Sequence, residues 1–185
     1  MLGMVFTEFI EMIEERFPPQ LTEQVIAAAP GGRDGAYTAV GYYPHDELVA
    51  MVVELSRLSG VAVPDLVRAF GQHLLGRFTQ LYPPMFQRHR GVFDFLAAVD
   101  GEIHVEVRKL YPQAMLPRFD VLARSDGAMT LHYQSPRGMD SLALGLMEGV
   151  TAFYREPCRI EARPAPQGGT VFELTRVPVL QAVAA

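Results

Sequence analysis

Chemistry in this chain must come from a small set of side chains. Its five histidines, His45, His73, His89, His104 and His132, stand far apart, with no H-E-x-x-H pattern and no His-x-x-x-His pair. Chelation of a metal by several protein side chains is therefore not expected. A single imidazole can still act as an axial ligand where a macrocycle supplies the remaining coordination. His104 lies in the run GEIHVEVRKLYP, where Ile103, Val107 and Leu110 make an apolar helical stripe that His104 borders. On spacing alone, that position also suits a solvated or capped helix residue.

Tyr133, Ser135 and Arg137 alternate at period two. In an extended chain their side chains share one face, and Pro136 favours an extended Ser135. The result is a row of hydrogen-bonding groups ending in a guanidinium, which suits clustered anions and above all carboxylates. A phosphate would satisfy the same donors, and a strand end with Arg137 in solvent is the plainer alternative.

Other functional patterns are missing from the sequence. It contains no Walker sequence, no G-x-G-x-x-G and no G-x-S-x-G, and its acidic residues are scattered, so no enzymatic activity is expected. Cys158 is the single cysteine, which excludes a disulfide scaffold or a thiolate cluster. With 16 basic against 21 acidic residues and no basic segment, the chain lacks the positive footprint of a nucleic-acid binder. The acidic residues within MLGMVFTEFIEMIEERF argue against a signal peptide. No run approaches 18 apolar residues, so membrane insertion is not expected and the cytoplasm is the default location.

The elements that must position these residues follow from periodicity. Val5, Phe6, Phe9, Ile10 and Ile13 form a helical stripe stopped by Pro18-Pro19, and a short helix spans about Thr22 to Ala29. A helix is expected over Tyr42 to Leu58, capped by Asp46 and closed at Gly60, and another opens at Pro64-Asp65. Pro83-Pro84 marks a break. Helices follow over Gly91 to Ala98 and from about Asp100 to Tyr111. Beyond Pro117 the pattern changes to a hairpin, Arg118 to Arg124 and Ala128 to Gln134, around Ser125-Asp126-Gly127. A long helix, Met139 to Tyr154, then precedes a second hairpin, Cys158 to Arg163 and Val171 to Val177. Gly145 and Gly149 in that helix suggest close packing.

The set His104…Pro117…Tyr133-x-Ser135-x-Arg137, with the stretch HVEVRKLYPQAMLPRF, resembles the haem nitric oxide/oxygen binding domain family, related to the haem domain of soluble guanylate cyclase. The run YYPHDELVAMVVELSRLSGVAVPDLVRAFGQHLL resembles the early helices of that family, so the likeness covers nearly the whole chain. It implies an α+β fold in one domain over residues 1–185, with a helical lobe to about residue 62. Haem-binding helices and a small antiparallel sheet lobe with one long helix follow from about residue 63, with haem b in the cleft between the lobes. It also implies roles. His104 matches the proximal iron ligand. Tyr133, Ser135 and Arg137 match the propionate-binding triad, and Pro117 matches the proline that presses on the porphyrin. Val5 and Phe9 match distal residues, while Leu74, Phe78 and Met115 fall where pocket-lining residues are expected.

Oxygen-binding relatives carry a distal tyrosine where this chain has Leu142, and the next distal contact falls at Leu146. The resemblance therefore implies a nitric oxide sensor that excludes oxygen and also takes carbon monoxide. A donor reaching in from elsewhere, such as Tyr82 or His73, would defeat that expectation. In the family, gas binding weakens the bond to the proximal histidine and a partner reads the change. The 185 residues hold no kinase or cyclase module, so the output is expected in trans, to a histidine kinase first or to a diguanylate cyclase/phosphodiesterase. The alternative is a haem or other small-ligand binding or storage protein without signalling output.

Overall fold

A computed structural model describes residues 1–32 and 35–178. The fold is α+β. The chain forms two compact units, Met1–Gln80 together with Ser141–Leu146, and Leu81–Asp140 together with the chain from Met147 onward.

The first unit is helical, with α1 (Gly3–Arg16), α2 (Pro19–Ala27), α3 (His45–Ser59) and most of α4 (Val63–Leu81). The α1 stripe behaves as its spacing requires, burying Phe6, Phe9, Met12 and Ile13. The chain leaves α1 in an extended conformation at Phe17, and Pro19 occupies the first turn of α2, where its missing N–H costs nothing. The third helix starts at His45 rather than Tyr42. Pro44 stands at its N-cap, and Asp46, the expected cap, lies inside the first turn and makes no capping bond. Asp46 and Glu47 instead place negative charge at the helix N-terminus. Gly60 closes the helix in the left-handed region (φ 72°), as expected. Phe9 meets Phe70 of α4 edge-on, with ring centroids 5.1 Å apart.

One long helix, α8 (Asp140–Tyr154), contributes its first turns to this unit. It lies very close to α4. A Cβ on Gly145 would collide with the Arg68 carbonyl, and one on Gly71 would collide with the Leu142 carbonyl. Glycine is required at both positions for the helix backbones to approach this closely.

The second unit holds α5 (Pro83–Gln87), α6 (Val92–Ala98), α7 (His104–Leu110) and the strands β1 (Arg118–Arg124), β2 (Ala128–Gln134), β3 (Cys158–Pro164) and β4 (Thr170–Arg176). Pro83-Pro84 opens α5 rather than simply breaking the chain, because prolines fit a first helical turn. The single helix expected from Asp100 to Tyr111 is instead a π-helical turn over Val99–Ile103 followed by α7. Both hairpins are present, and they join through β2 and β4 into one antiparallel sheet of order β1-β2-β4-β3. Tyr133 therefore lies on an inner strand, paired with Phe119 on one side and Thr170 on the other.

Candidate cofactor site

The π turn changes what α7 presents. In a regular α-helix the amide of His104 would bond four residues back; here it donates to the carbonyl of Val99, five back. The extra residue rotates the following helix, and a stripe drawn at α-helical spacing through Asp100 to Tyr111 loses its phase. Leu110, expected on the buried stripe, is 58% exposed, and Val105 is exposed as well. His104 is 8% exposed and is the only fully buried residue of α7. A short helix that buries a polar ring while exposing leucine and valine is not following hydrophobic patterning, and a buried polar group calls for a partner.

That ring is held at one nitrogen. The carboxylate of Asp100 accepts a hydrogen bond from His104 Nδ1 at 3.3 Å, one helical turn before it. Nε2 has no hydrogen-bond partner among the described residues. Burial pushes the imidazole below its ordinary range, against the opposing pull of Asp100, so it is neutral and able to ligate at neutral pH. The ring of Phe119 lies 6.1 Å from that of His104 and 5.1 Å from that of Tyr133, linking the two in one row.

Tyr133, Ser135 and Arg137 are brought together, but not by one extended chain. β2 ends at Gln134, and Arg137 sits in a turn whose amide donates to Ser135 Oγ at 3.2 Å. Pro136 contributes no donor there, and Gly138 takes a positive φ of 59°. Burial raises the Tyr133 phenol above its usual range, against a smaller opposing pull from Ser135, and keeps it protonated. Arg137 spends one N–H on the carbonyl of Met115, 3.0 Å away, and keeps most of its donors. Met115 meets the triad through that carbonyl, and the residue itself is 65% exposed. Pro117 is half-buried just ahead of β1. The β3–β4 turn braces Tyr133 from the adjacent residue, since His132 Nε2 donates to the Gly168 carbonyl at 2.8 Å.

In the first unit the expected lining residues belong to one apolar cluster. Phe9 and Leu74 are buried in it, and Val5, Phe78, Leu142 and Leu146 pack against it. Polar groups of the first unit stand beside it, and His73 Nε2 is buried without a hydrogen-bond partner among the described residues. The Tyr37 hydroxyl donates to Glu47 at 2.9 Å, and the Tyr43 hydroxyl accepts from the Thr38 amide at 2.9 Å. The His73 ring lies between two α1 carboxylates, 3.6 Å from Glu8 and 3.7 Å from Glu15. Tyr82 belongs to the second unit, where burial and the neighbouring Tyr111 push its phenol up to about 12.

These residues fit a haem. There is a buried neutral imidazole with one free nitrogen and a Tyr-Ser-Arg set suited to carboxylates. Among the described residues no group of three or more His, Cys, Asp or Glu side chains could hold a metal ion, which leaves His104 as a ligand only beside a macrocycle. Asp100 and Phe119 were missed by the sequence reading. Asp100 had a readable signal, an acid four residues before a histidine in a helical run.

The fold is that of H-NOX domains. An H-NOX from Shewanella woodyi, solved in its Fe(II)CO state, is 37% identical over 100% of this chain and 99% of its own, with a TM-score of 0.84. The unliganded Fe(II) protein from K. algicida is 29% identical over 97% and 98% of the two chains, with a TM-score of 0.91. An Fe(II)NO form from S. oneidensis shares the fold at 21% identity, with a TM-score of 0.88 over 96% and 100%. The Haem-NO-binding family model matches residues 2–162, and the chain belongs to that family. No curated protein matches it.

Proposed function

We propose that this chain is a haem b-based nitric oxide sensor that excludes oxygen and regulates a signalling partner in trans through release of His104. The observation that carries the reading is the buried, neutral His104, held at Nδ1 with Nε2 left over. When bound, haem would supply a ferrous iron able to take a diatomic gas. His104 would ligate that iron, and Tyr133, Ser135 and Arg137 would hold the propionates, whose burial demands charge and hydrogen-bond partners.

Gas choice follows from the first unit's cluster. Bound oxygen wants a hydrogen-bond donor and nitric oxide depends on one far less. Leu142 and Leu146 offer none, and the Tyr37 phenol is bonded to Glu47. Signalling follows from α7. His104 is its only fully buried side chain, so letting go of His104 removes the helix's main anchor. A partner that binds the anchored and released helix differently then reads the gas. A histidine kinase is the first partner to test and a diguanylate cyclase/phosphodiesterase the second, with carbon monoxide as a further ligand. Family members are generally sensor modules rather than catalysts. No helix among the described residues is long and apolar enough to cross a membrane.

The test is the visible spectrum of the reduced protein, first in air and then with nitric oxide. A Soret band, an unchanged spectrum in air and a shift with nitric oxide are expected. Absence of a Soret band after expression with haem available would sink the haem reading, and a stable oxygen complex would sink the gas selectivity. A storage protein would leave the autophosphorylation of a co-purifying kinase indifferent to nitric oxide.

A further inference from the structure

The carboxylate beside His104 has no role in the reading above. Asp100 and His104 stand four apart across the π turn, and this turn keeps them on one side of the helix. The pair spans the π turn, with Gly101 inside it. Asp100 is directed at His104 Nδ1 at 3.3 Å, while its own side chain is 40% exposed. The other groups near the imidazole differ in kind: Phe119 offers a tilted aromatic ring 6.1 Å away, and Arg108, one turn on, carries a repelling charge. Asp100 is thus the hydrogen-bond acceptor for this ring among the described residues.

We propose that Asp100 is a positioning residue for His104. Its carboxylate takes the Nδ1 proton, which fixes the tautomer that leaves Nε2 as the iron ligand, orients the ring and makes it a stronger electron donor. An imidazole whose second nitrogen donates to a carboxylate is a more basic ligand than one donating to water, and such outer partners are a general means of tuning a metal–histidine bond. Because the proposed output is the release of His104, Asp100 then sets how readily that release occurs. The half-exposed carboxylate, at the long end of hydrogen-bond distance, strengthens the bond without locking it. This inference rests on the haem reading.

The experiment compares wild type, Asp100→Asn and Asp100→Ala as reduced, haem-loaded full chains, reading the iron–histidine stretch by resonance Raman and the rate of haem loss to an acceptor. Asp100→Ala is expected to lower the stretching frequency and to speed haem loss about tenfold. Asp100→Asn, which keeps an acceptor oxygen without the charge, should fall between. The carbon monoxide form adds a readout independent of stability: the His104 Nδ1 proton should resonate furthest downfield in wild type. A residue with a merely structural role would lower the unfolding midpoint and leave the stretch and the proton where they were. That outcome, with a Soret band present, overturns the role of Asp100 and leaves the haem reading standing. No Soret band in wild type overturns both.

Discussion

At the scale of single residues the site divides into a charged anchor and neutral ones. Arg137 carries a guanidinium that already has one bond to the Met115 carbonyl, so it is oriented for the proposed propionate contact before any ligand arrives. Ser135 contributes a hydroxyl that also organises the Arg137 turn. A hydrogen bond to a charged group is worth about 1.5–3 kcal/mol, and both residues would make one to a propionate, but Arg137 adds its own charge and a second, parallel donor. Arg137→Ala should therefore speed haem loss by roughly a hundredfold, and Ser135→Ala less, by about tenfold. Equal rates in the two variants would remove Arg137 from the propionate site. The opposite kind of change applies at Leu142, which packs half-buried against the apolar cluster. Leu142→Tyr places a phenol there. It is expected to strengthen oxygen binding by about ten- to over a hundredfold, the value of a buried donor, at a packing cost of roughly 1–3 kcal/mol. Oxygen titration of the reduced variant reads this directly, and an unchanged spectrum in air would show that a missing donor is not what excludes oxygen.

At the scale of elements, two glycines of the first unit should respond with opposite sign. Gly145 of α8 faces the Arg68 carbonyl with no room for a Cβ, whereas Gly76 of α4 faces open space in an exposed helix interior. Gly145→Ala should cost about 1–3 kcal/mol as the helices are forced apart, and Gly76→Ala should gain about 0.5–1 kcal/mol. Urea midpoints of the apoprotein measure both, and a neutral Gly145→Ala would mean the helices separate freely. The close packing itself was legible, because glycine recurs within an apolar helix. So were the hairpins, whose turn residues Ser125-Asp126-Gly127 and Gly168-Gly169 carry local signals. Their union into one sheet was not, because β2 and β4 pair across the whole of α8 and no local pattern encodes that. The π turn was also hidden. Val99 to Ile103 holds weak helix formers, Gly101 among them, but such residues do not mark an inserted one, which shows only as His104 buried where Leu110 should have been. Hence spacing left His104 an ambiguous border residue, and the Tyr-Ser-Arg run a strand end. Their functional weight came from the resemblance. The turn at Arg137 and the acceptor at Asp100 needed coordinates.

At the scale of the whole molecule, the charge inventory makes the alkaline limit of stability readable. Lys109 is the sole lysine, and the remaining basic side chains, apart from histidine, are arginines that do not titrate below pH about 12. The groups that ionise in alkali are then mainly the seven tyrosines. Burial pushes the Tyr154 phenol up to about 12, helped by the charges of Asp94 and Glu156, and burial together with the bond to Tyr111 takes Tyr82 up to about 12. Burial raises Tyr133 in the same direction. Each of these protons is held more tightly in the folded chain than in the unfolded one, where a phenol ionises near 10. Their contribution is therefore fully present below pH about 10. It is lost as pH rises towards about 12, because the unfolded chain releases protons first. The Tyr154 hydroxyl also donates to the Phe86 carbonyl at 2.6 Å, tying the end of α8 to α5. The urea midpoint should fall steeply between pH about 10 and 12, in step with tyrosinate absorbance appearing on unfolding. Tyr154→Phe should lower the midpoint at neutral pH by removing that bond, yet flatten the alkaline fall. A slope unchanged in that variant would mean Tyr154 ionises alike in both states, and the alkaline limit would then lie with Tyr82 and Tyr133.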